Sequence, residues 1–324
     1  MMRGSLGWWL LIAAGTMAGR TEELRPEVKR EGDRLTIWLH RADTHPVELN
    51  GLDSVRSVRM GLSIGDLNGL YSDPAPPPQM GDEELARLRN ARGLRELEAD
   101  IESNISDRGL AFLAHLTTLE ELGLDGNPKI TDAGLPALQA LTKLKTLRFF
   151  KSPLTDAGLA RLKHLDQLED FQVGYASITN HGLSVIRQFR KLKTLDLQNT
   201  LITDAGLPAL AGLAQLQWLC FNGDDVGDRG LASLKDLTHL TSLYLGGTHV
   251  TDQGLAHLQK LAGLETLDLS GTKVTDAGLR QLAGLTHLHD LNVQGTGVTE
   301  AGRQGLLKDL PGLKVRDSLP SRPP

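Results

Sequence analysis

The residues of this sequence whose type and spacing could do chemistry are aspartates that recur in a fixed frame. A Thr-Asp pair begins at Thr155, Thr203, Thr251 and Thr275, and the last two are 24 residues apart. Stacked carboxylates could bind a metal ion or act as general acid and base. The same pair is also typical of a helix start, where a side-chain oxygen caps free N–H groups and a carboxylate complements the helix dipole. We favour capping, and we assign these aspartates no catalytic or metal-binding role.

Other patterns of enzyme chemistry are weak. The sequence contains no glycine-rich phosphate loop and no HExxH motif. His287 and His289 have no second histidine pair in frame, and we expect Asp170 and Asp196 to lie side by side on an open sheet without a water-excluding pocket. The single cysteine, Cys220, excludes an intramolecular disulfide and a multi-cysteine metal site. We therefore predict a non-enzymatic protein with no metal or cofactor.

The interval between the Thr-Asp pairs defines the architecture. Degraded copies of the pair bring the total to nine, and each copy is followed by a leucine-spaced run and an LxxLxL segment. A fixed period of this length is typical of units that bury their apolar faces only by stacking on neighbours, which gives an open solenoid. The degraded copies are Ser106-Asp107, Thr131-Asp132, Thr179-Asn180, Gly227-Asp228 and Thr299-Glu300.

Within each unit the spacing of leucines predicts one strand and one short helix. Alternate residues of LxxLxL face one side of a strand, so Leu195 and Leu243 should be buried. Leu207, Leu210 and Leu213 follow at helical spacing and should face the same core. The small residues that follow Thr203-Asp204, Ala and Gly, should let neighbouring units approach closely.

The unit from Leu192 to Leu213, LKTLDLQNTLITDAGLPALAGL, resembles a leucine-rich repeat. The helix-bearing repeats of ribonuclease inhibitors and F-box proteins are similar, and so above all are the TDAGL arrays of planctomycete-type bacterial proteins. The resemblance covers about residues 55–315 and implies an α/β horseshoe, with a parallel sheet on the concave face and short helices on the convex face. It also implies protein–protein interaction. The chain departs from the family in its buried asparagine column, which here reads Ser152, Ala176, Thr200, Asp224, Thr248, Thr272 and Thr296.

The ends of the chain differ from the repeats. Leu6 to Ala14 is apolar and too short to span a bilayer, and small residues end at Ala18, which is typical of a cleaved export signal. A buried segment or a retained anchor is the alternative. The predicted organisation is a signal peptide at 1–18, an N-terminal segment with a capping strand at 19–54, the solenoid at 55–315 with a proline-rich loop insertion at 61–80, and a disordered tail at 316–324.

The outward residues of the strands should form rows across the concave face, because side chains alternate along each strand. Many are acidic, while the formal net charge of the whole chain is only -5. This pattern predicts steering of a partner with a basic surface, and it argues against nucleic acid as a partner. A charged face that only keeps the protein soluble is the alternative. The acidic candidates are Glu96, Glu98, Asp100, Glu121, Asp125, Asp170, Asp196, Asp268 and Asp290, with Arg59 and Arg148 opposing them.

Large aromatic residues interrupt these polar rows in two places. Trp218 and Tyr244 should project from neighbouring strands, and Phe150 should project near Arg148, with Tyr175 at the end of the following strand. Exposed aromatics ringed by polar groups are common anchors of protein interfaces. Self-association of the chain, or coverage of the aromatics by a terminal segment, is the alternative. We therefore predict an exported protein-binding module without a membrane span, whose partner-binding residues are these and the acidic candidates. The alternatives are the substrate-recognition arm of an F-box-type or effector protein, which would be cytoplasmic, and a passive structural role in the cell envelope.

Overall fold

The computed structural model describes residues 27–31, 34–38, 56–60, 81–99 and 103–316. The predicted signal peptide, the loop at 61–80 and all but the first residue of the tail lie outside these ranges. Strands β1 (Glu27–Glu31) and β2 (Arg34–Trp38) form an antiparallel pair, and β2 lies against β3. Strand β2 lies within the N-terminal segment at 19–54 in which we predicted a capping strand. The acidic candidate Asp100 lies outside the described ranges.

An open parallel sheet of 11 strands runs through the rest of the described chain in sequence order. Successive strands pair in register, with leucine or phenylalanine opposite leucine along the middle of the central strands, for example Phe171 opposite Leu195. The strands are β3 Ser57–Met60, β4 Glu96–Ala99, β5 Glu121–Gly123, β6 Thr146–Arg148, β7 Asp170–Gln172, β8 Thr194–Asp196, β9 Trp218–Cys220, β10 Ser242–Tyr244, β11 Thr266–Asp268, β12 Asp290–Asn292 and β13 Lys314–Arg316.

Short helices cover one face of this sheet, and most units contribute one or two turns. The α-helices are α1 Asp82–Arg87, α2 Asp107–Leu113, α3 Asp156–Leu159, α4 Asn180–Ile186, α5 Asp228–Leu231, α6 Asp252–Leu255, α7 Asp276–Leu279 and α8 Glu300–Asp309. Single 3-10 turns are Leu88–Asn90, Leu135–Leu138, Ala160–Leu162, Leu207–Leu210, Ala256–Leu258 and Arg280–Leu282. Pro136 and Pro208 stand near the start of 3-10 turns, as their lack of an N–H group favours.

The core is a continuous file of leucines between sheet and helices. Leu195 and Leu243 on the strands, and Leu207, Leu210 and Leu213 on the helical side, are all fully buried. The inward and outward assignment from the LxxLxL spacing is therefore correct for these strands. The core lies between the sheet and the helices and is built from contacts between adjacent units. Side chains on the opposite face of the sheet are therefore not required for core packing.

The Thr-Asp pairs join the units to each other, which the sequence analysis did not predict. Thr155 does cap its own helix, since its Oγ1 accepts the N–H of Ala157 at 3.2 Å. Asp132 instead accepts both the backbone N–H and the hydroxyl of Thr155 in the next unit, at 2.9 and 2.5 Å. A Cβ on Gly158 would lie 2.1 Å from Asp132 Oδ1, so the glycine makes room for this bond. The aspartate row is thus a hydrogen-bonded ladder along the solenoid, and capping by aspartate was the wrong assignment.

A buried column of small and polar residues lines the turns that follow the strands. The column starts one unit earlier than predicted, with Asn127, whose Nδ2 donates to the carbonyl of Leu124 at 3.0 Å. Thr248 and Thr272 donate their hydroxyls to the equivalent carbonyls, three residues earlier, at 2.6 Å. Threonine therefore replaces asparagine as a donor to the turn backbone, as expected.

Asp224 differs from its neighbours in this column. It is 2% exposed, and its Oδ1 accepts the N–H of Thr200 at 2.6 Å and the hydroxyl of Thr200 at 3.1 Å. Its Oδ2 has no hydrogen-bond partner among the described residues. Burial, against the opposing bonds from Thr200, raises the pKa of Asp224 to about 7. This carboxylate therefore belongs to the interior of the turn and is not available to a ligand.

Candidate binding face of the sheet

The outward side chains of the strands form two rows on the concave face, one at the first strand position and one at the third. Asp170 is in the first row, opposite Thr194, whereas Asp196 is in the third row, opposite Gln172. The two carboxylates are diagonal neighbours, and the prediction that they lie side by side was wrong. The error arose because LxxLxL gives the inward residues but leaves two outward positions in every strand.

Trp218 and Tyr244 meet on this face. Tyr244 is opposite Cys220 in the third row, and Trp218 is opposite Ser242 in the first row. Their ring centroids are 5.0 Å apart with planes inclined at 41°. Both side chains are half-buried, while Leu219, Phe221 and Leu243 fill the core beneath them. We call Trp218 and Tyr244 the Trp218 pair.

Two residues beside the Trp218 pair, Cys220 and Asp196, are buried although they occupy outward strand positions. Cys220 is only 2% exposed although it faces outward, and its burial raises the pKa of the thiol. Asp196, which is opposite Cys220 on β8, is 5% exposed and accepts Gln198 N at 3.0 Å and Gln198 Nε2 at 2.9 Å. Burial raises the pKa of Asp196 above that of an ordinary aspartate. Asp196 was predicted as an open carboxylate, and the structure places it beneath its neighbours.

Phe150 and Tyr175 form a second aromatic pair, at the edge where the strands end; we call them the Tyr175 pair. Their ring centroids are 5.0 Å apart at 74°, an edge-to-face contact. Tyr175 is 47% exposed and Phe150 is half-buried. The ammonium of Lys151 lies 5.7 Å from the Phe150 centroid and 5.5 Å from the Tyr175 centroid. We predicted Phe150 and Tyr175 as separate candidates, and the fold brings their rings into contact.

Arg148 lies beneath this edge in a network of carboxylates. Its Nη2 is 2.7 Å from Glu98 Oε1, two strands away, and its Nε is 3.5 Å from Asp125 Oδ2. A Cβ on Gly123 would lie 2.7 Å from Arg148 Nη2, so the glycine on the intervening strand leaves room for this reach. Burial raises the pKa of Asp125, in part offset by the N–H of Phe150 and the charge of Arg148. Arg148 is therefore a positioned residue of the face and not a free cation.

The remaining acidic candidates differ in how far they are neutralised. Asp290 is 2.8 Å from Arg316 Nη2 and is therefore paired, a contact that we did not predict. Asp268 lies opposite Tyr244 and accepts Ser270 N at 2.9 Å. Asp170 accepts Gln172 Nε2 at 3.0 Å, and burial, together with the charges of Asp125 and Asp196, raises its pKa. Glu96 and Glu121 stand opposite each other in the first row, at the β4–β5 end of the sheet.

Groups with metal-site composition do not occur on this face. Within the described ranges, no three or more histidine, cysteine, aspartate or glutamate residues are arranged to hold a metal ion. None of the helices described above is both long and apolar enough to cross a membrane. We predicted that the sequence has no Gly-x-Ser-x-Gly motif of the kind some hydrolases carry, and this was wrong, because Gly61-Leu62-Ser63-Ile64-Gly65 has that spacing. These residues lie outside the described ranges.

Comparison with known proteins gives the same fold. A family model described as Leucine Rich repeat matches residues 115–138, 190–211, 236–258 and 264–283. An internalin from Listeria monocytogenes matches with a TM-score of 0.62 and 24% identity, covering 89% of this chain and 87% of that one. Internalin C2 from the same bacterium matches with a TM-score of 0.52 and 25% identity, covering 78% of this chain and 96% of that one.

A plant structure shares the architecture at lower identity. The leucine-rich-repeat ectodomain of the Arabidopsis receptor kinase HAESA, solved with a peptide hormone, matches with a TM-score of 0.51 and 17% identity. The match covers 68% of this chain and 37% of that one. A search of curated proteins finds no match. The chain thus carries leucine-rich repeats folded as an α/β solenoid, an architecture typical of protein–protein interaction and not generally of catalysis.

Proposed function

We propose that this chain is an exported, non-enzymatic binding module that holds a protein partner on its concave face, anchored by the Trp218 pair. The observation that carries the proposal is the pair itself, since two large rings stand half-exposed and in contact where the core needs neither of them. Aromatic residues of this kind supply most of the binding energy in many interfaces. The resemblance to planctomycete-type TDAGL arrays supports a bacterial module over the F-box reading.

The charge of the partner follows from the carboxylates around the anchor. Asp268 lies opposite Tyr244, Asp170 lies on β7, two strands from Trp218, and neither half-buried carboxylate forms an ion pair with another described residue. A partner with a basic surface would be attracted to this region, and its association would slow as salt is raised. Nucleic acid is a poor partner for such a face, because phosphates require basic residues.

The decisive experiment is a pull-down from the source organism with the wild-type chain and a Trp218→Ala/Tyr244→Ala variant. Loss of the specific partner from the double variant is the expected result, with His181→Ala on the convex helix α4 as the matched control. Recovery of the same partner in the same amount by the double variant would exclude the concave aromatic anchor.

Export is tested separately by the mass of the natively expressed chain. A mature protein that begins after Ala18 supports the proposal, because the small residues there suit a signal peptidase. A chain that retains its first residues and is found in the cytosol would contradict the exported part of the proposal.

A further inference from the structure

The Tyr175 pair is built at a cost that folding does not require. In eight consecutive units the residue of the turn after the strand has a positive φ, a conformation that favours glycine. Glycine occupies five of these positions, and Lys151, Tyr175 and Asn199 occupy the other three, in adjacent units. The Tyr175 backbone has φ 62°, which is unfavourable for a bulky side chain. The glycines are Gly126, Gly223, Gly247, Gly271 and Gly295.

Neighbouring residues accommodate the rings at this edge. A Cβ on Gly174 would lie 2.9 Å from Phe150 Cε2, so the missing side chain lets Phe150 lean across β7 toward Tyr175. A strained turn, a glycine that makes room and an exposed ring together indicate a surface shaped for contact. Other units of the solenoid have glycine in this turn, so folding does not require tyrosine there. We therefore attribute the exposed ring of Tyr175 to a contact with a partner.

The two aromatic pairs are separated by a distance that suits an extended chain. Three strand spacings, about 14 Å, lie between them across the sheet, and about 11 Å lies along the strands, which gives roughly 18 Å in all. An extended peptide rises about 3.3 Å per residue and covers this distance in about six residues, and side chains six residues apart lie on the same face of the peptide. Side chains on such a peptide could therefore reach both pairs at once.

The groups between the pairs suit a peptide backbone and a cation. Gln172, at the end of β7, and Gln198, two residues after β8, carry half-buried amide groups. An extended segment needs partners of this kind for its N–H and C=O groups, whereas a helix satisfies its own. Asp170 lies on β7, is half-buried and makes no ion pair with another described residue, apart from the longer-range field of Arg148. A basic side chain of the ligand would pair with its carboxylate.

We propose that the concave face binds an extended peptide segment whose two large apolar side chains, six residues apart and therefore on the same face of the peptide, sit on the Tyr175 and Trp218 pairs, with a basic residue between them. This inference rests on the proposed function and names the form of the partner. Because the ammonium of Lys151 covers the Tyr175 pair, residues beyond that anchor should be neutral or acidic.

The test uses a fluorescein-labelled synthetic peptide, Ser-Phe-Ser-Arg-Ser-Arg-Ser-Phe-Ser, and the full chain in a fluorescence anisotropy titration. Its two phenylalanines and two arginines all lie on one face of the extended peptide. Saturable binding is expected, weakened at least tenfold by Trp218→Ala and by Tyr175→Gly, and unchanged in His181→Ala. Tyr175→Gly is the informative variant, because glycine suits the left-handed turn and the variant should fold. Peptides with glutamate in place of arginine, or with the phenylalanines two residues apart, should also bind at least tenfold more weakly.

Contrary results separate this inference from the proposed function. Equal affinity for wild type and Tyr175→Gly, or for the two phenylalanine spacings, overturns the two-anchor arrangement. No saturable binding up to about 1 mM peptide also overturns it. If the natural partner is nevertheless lost in the Trp218→Ala/Tyr244→Ala pull-down, the proposed function stands and the partner docks as a folded surface.

Discussion

Replacing Asp224 with asparagine should stabilise the protein at neutral pH, because the native side chain lacks a donor that its position requires. In the equivalent turn Asn127 Nδ2 donates to the carbonyl of Leu124, and Thr248 donates to that of Leu245. An ionised Asp224 offers only acceptors, and its Oδ2 is left without a partner among the described residues. Asparagine keeps the acceptor that Thr200 uses and adds the missing donor.

The size and the pH dependence of the effect follow from the pKa of Asp224. The folded pKa of about 7 lies above the ordinary value of 3.8, so the proton stabilises the folded state. This contribution is complete below about pH 4, is lost as the pH rises through about 7, and does not change further above that. Because a pKa difference of one corresponds to about 1.4 kcal/mol, the difference between about 7 and 3.8 sets an upper limit of about 4 kcal/mol on the free energy of unfolding lost when Asp224 ionises. The free energy of unfolding of the Asp224→Asn variant should therefore exceed that of wild type by about 2–4 kcal/mol at pH 8 and by little at pH 4.

Urea denaturation at several pH values between 4 and 8, followed by circular dichroism, measures this difference. The matched control is Asp166→Asn, which changes an exposed carboxylate and should shift the free energy of unfolding by less than about 0.5 kcal/mol at each pH. Equal stability of Asp224→Asn and wild type at pH 8 would refute the reasoning. So would a stabilisation that is the same at pH 4 and pH 8, since it would not arise from the proton.

Three other substitutions test the frame of the repeats. Leu195→Ala should reduce the free energy of unfolding by about 2–5 kcal/mol, because Leu195 is fully buried, and could divide the unfolding of the array into two transitions. A single, unchanged melting transition in calorimetry would contradict the buried position of Leu195. Gly158→Ala should destabilise by more than about 1 kcal/mol in urea denaturation, because its methyl group would overlap Asp132 Oδ1, whereas Gly284→Ala, which has no atom within 4 Å, should be near neutral. Tyr175→Gly should raise the melting temperature slightly, by relief of about 1 kcal/mol of backbone strain, and a marked fall would show that the ring supports the fold.

The sequence was sufficient for the architecture because the repeat reports the same arrangement many times. Leucine spacing alone gave the burial of Leu195 and Leu243, and the outward aspect of Trp218 and Tyr244. It could not give contacts that depend on register between units. The bond from Thr155 to Asp132 and the reach of Arg148 over Gly123 join residues of different units, and nothing within one unit specifies them.

The candidate site was predicted as a set of residues and not as an arrangement. Side-chain alternation placed Asp196 on the outer face of the sheet. It could not show that the carboxylate would be buried there, bonded to Gln198 and next to Cys220. The contact of Phe150 with Tyr175 depends on a left-handed turn and on the gap at Gly174. A comparison of the turn residues between units would have drawn attention to the turn at Tyr175, since tyrosine there replaces the glycine that most units have.

A residue that departs from the repeat points to function when folding does not explain it, and to stability when folding does. Asp224 departs from the asparagine and threonine of its column, yet it is buried in a turn, so its consequences are confined to stability and its dependence on pH. Tyr175 departs from glycine at a strained and exposed turn, where its ring contributes nothing to the core. Tyr175→Gly should remove backbone strain and abolish peptide binding, so that stability rises while affinity falls. This result would show that Tyr175 departs from the repeat for binding, whereas Asp224 affects only stability.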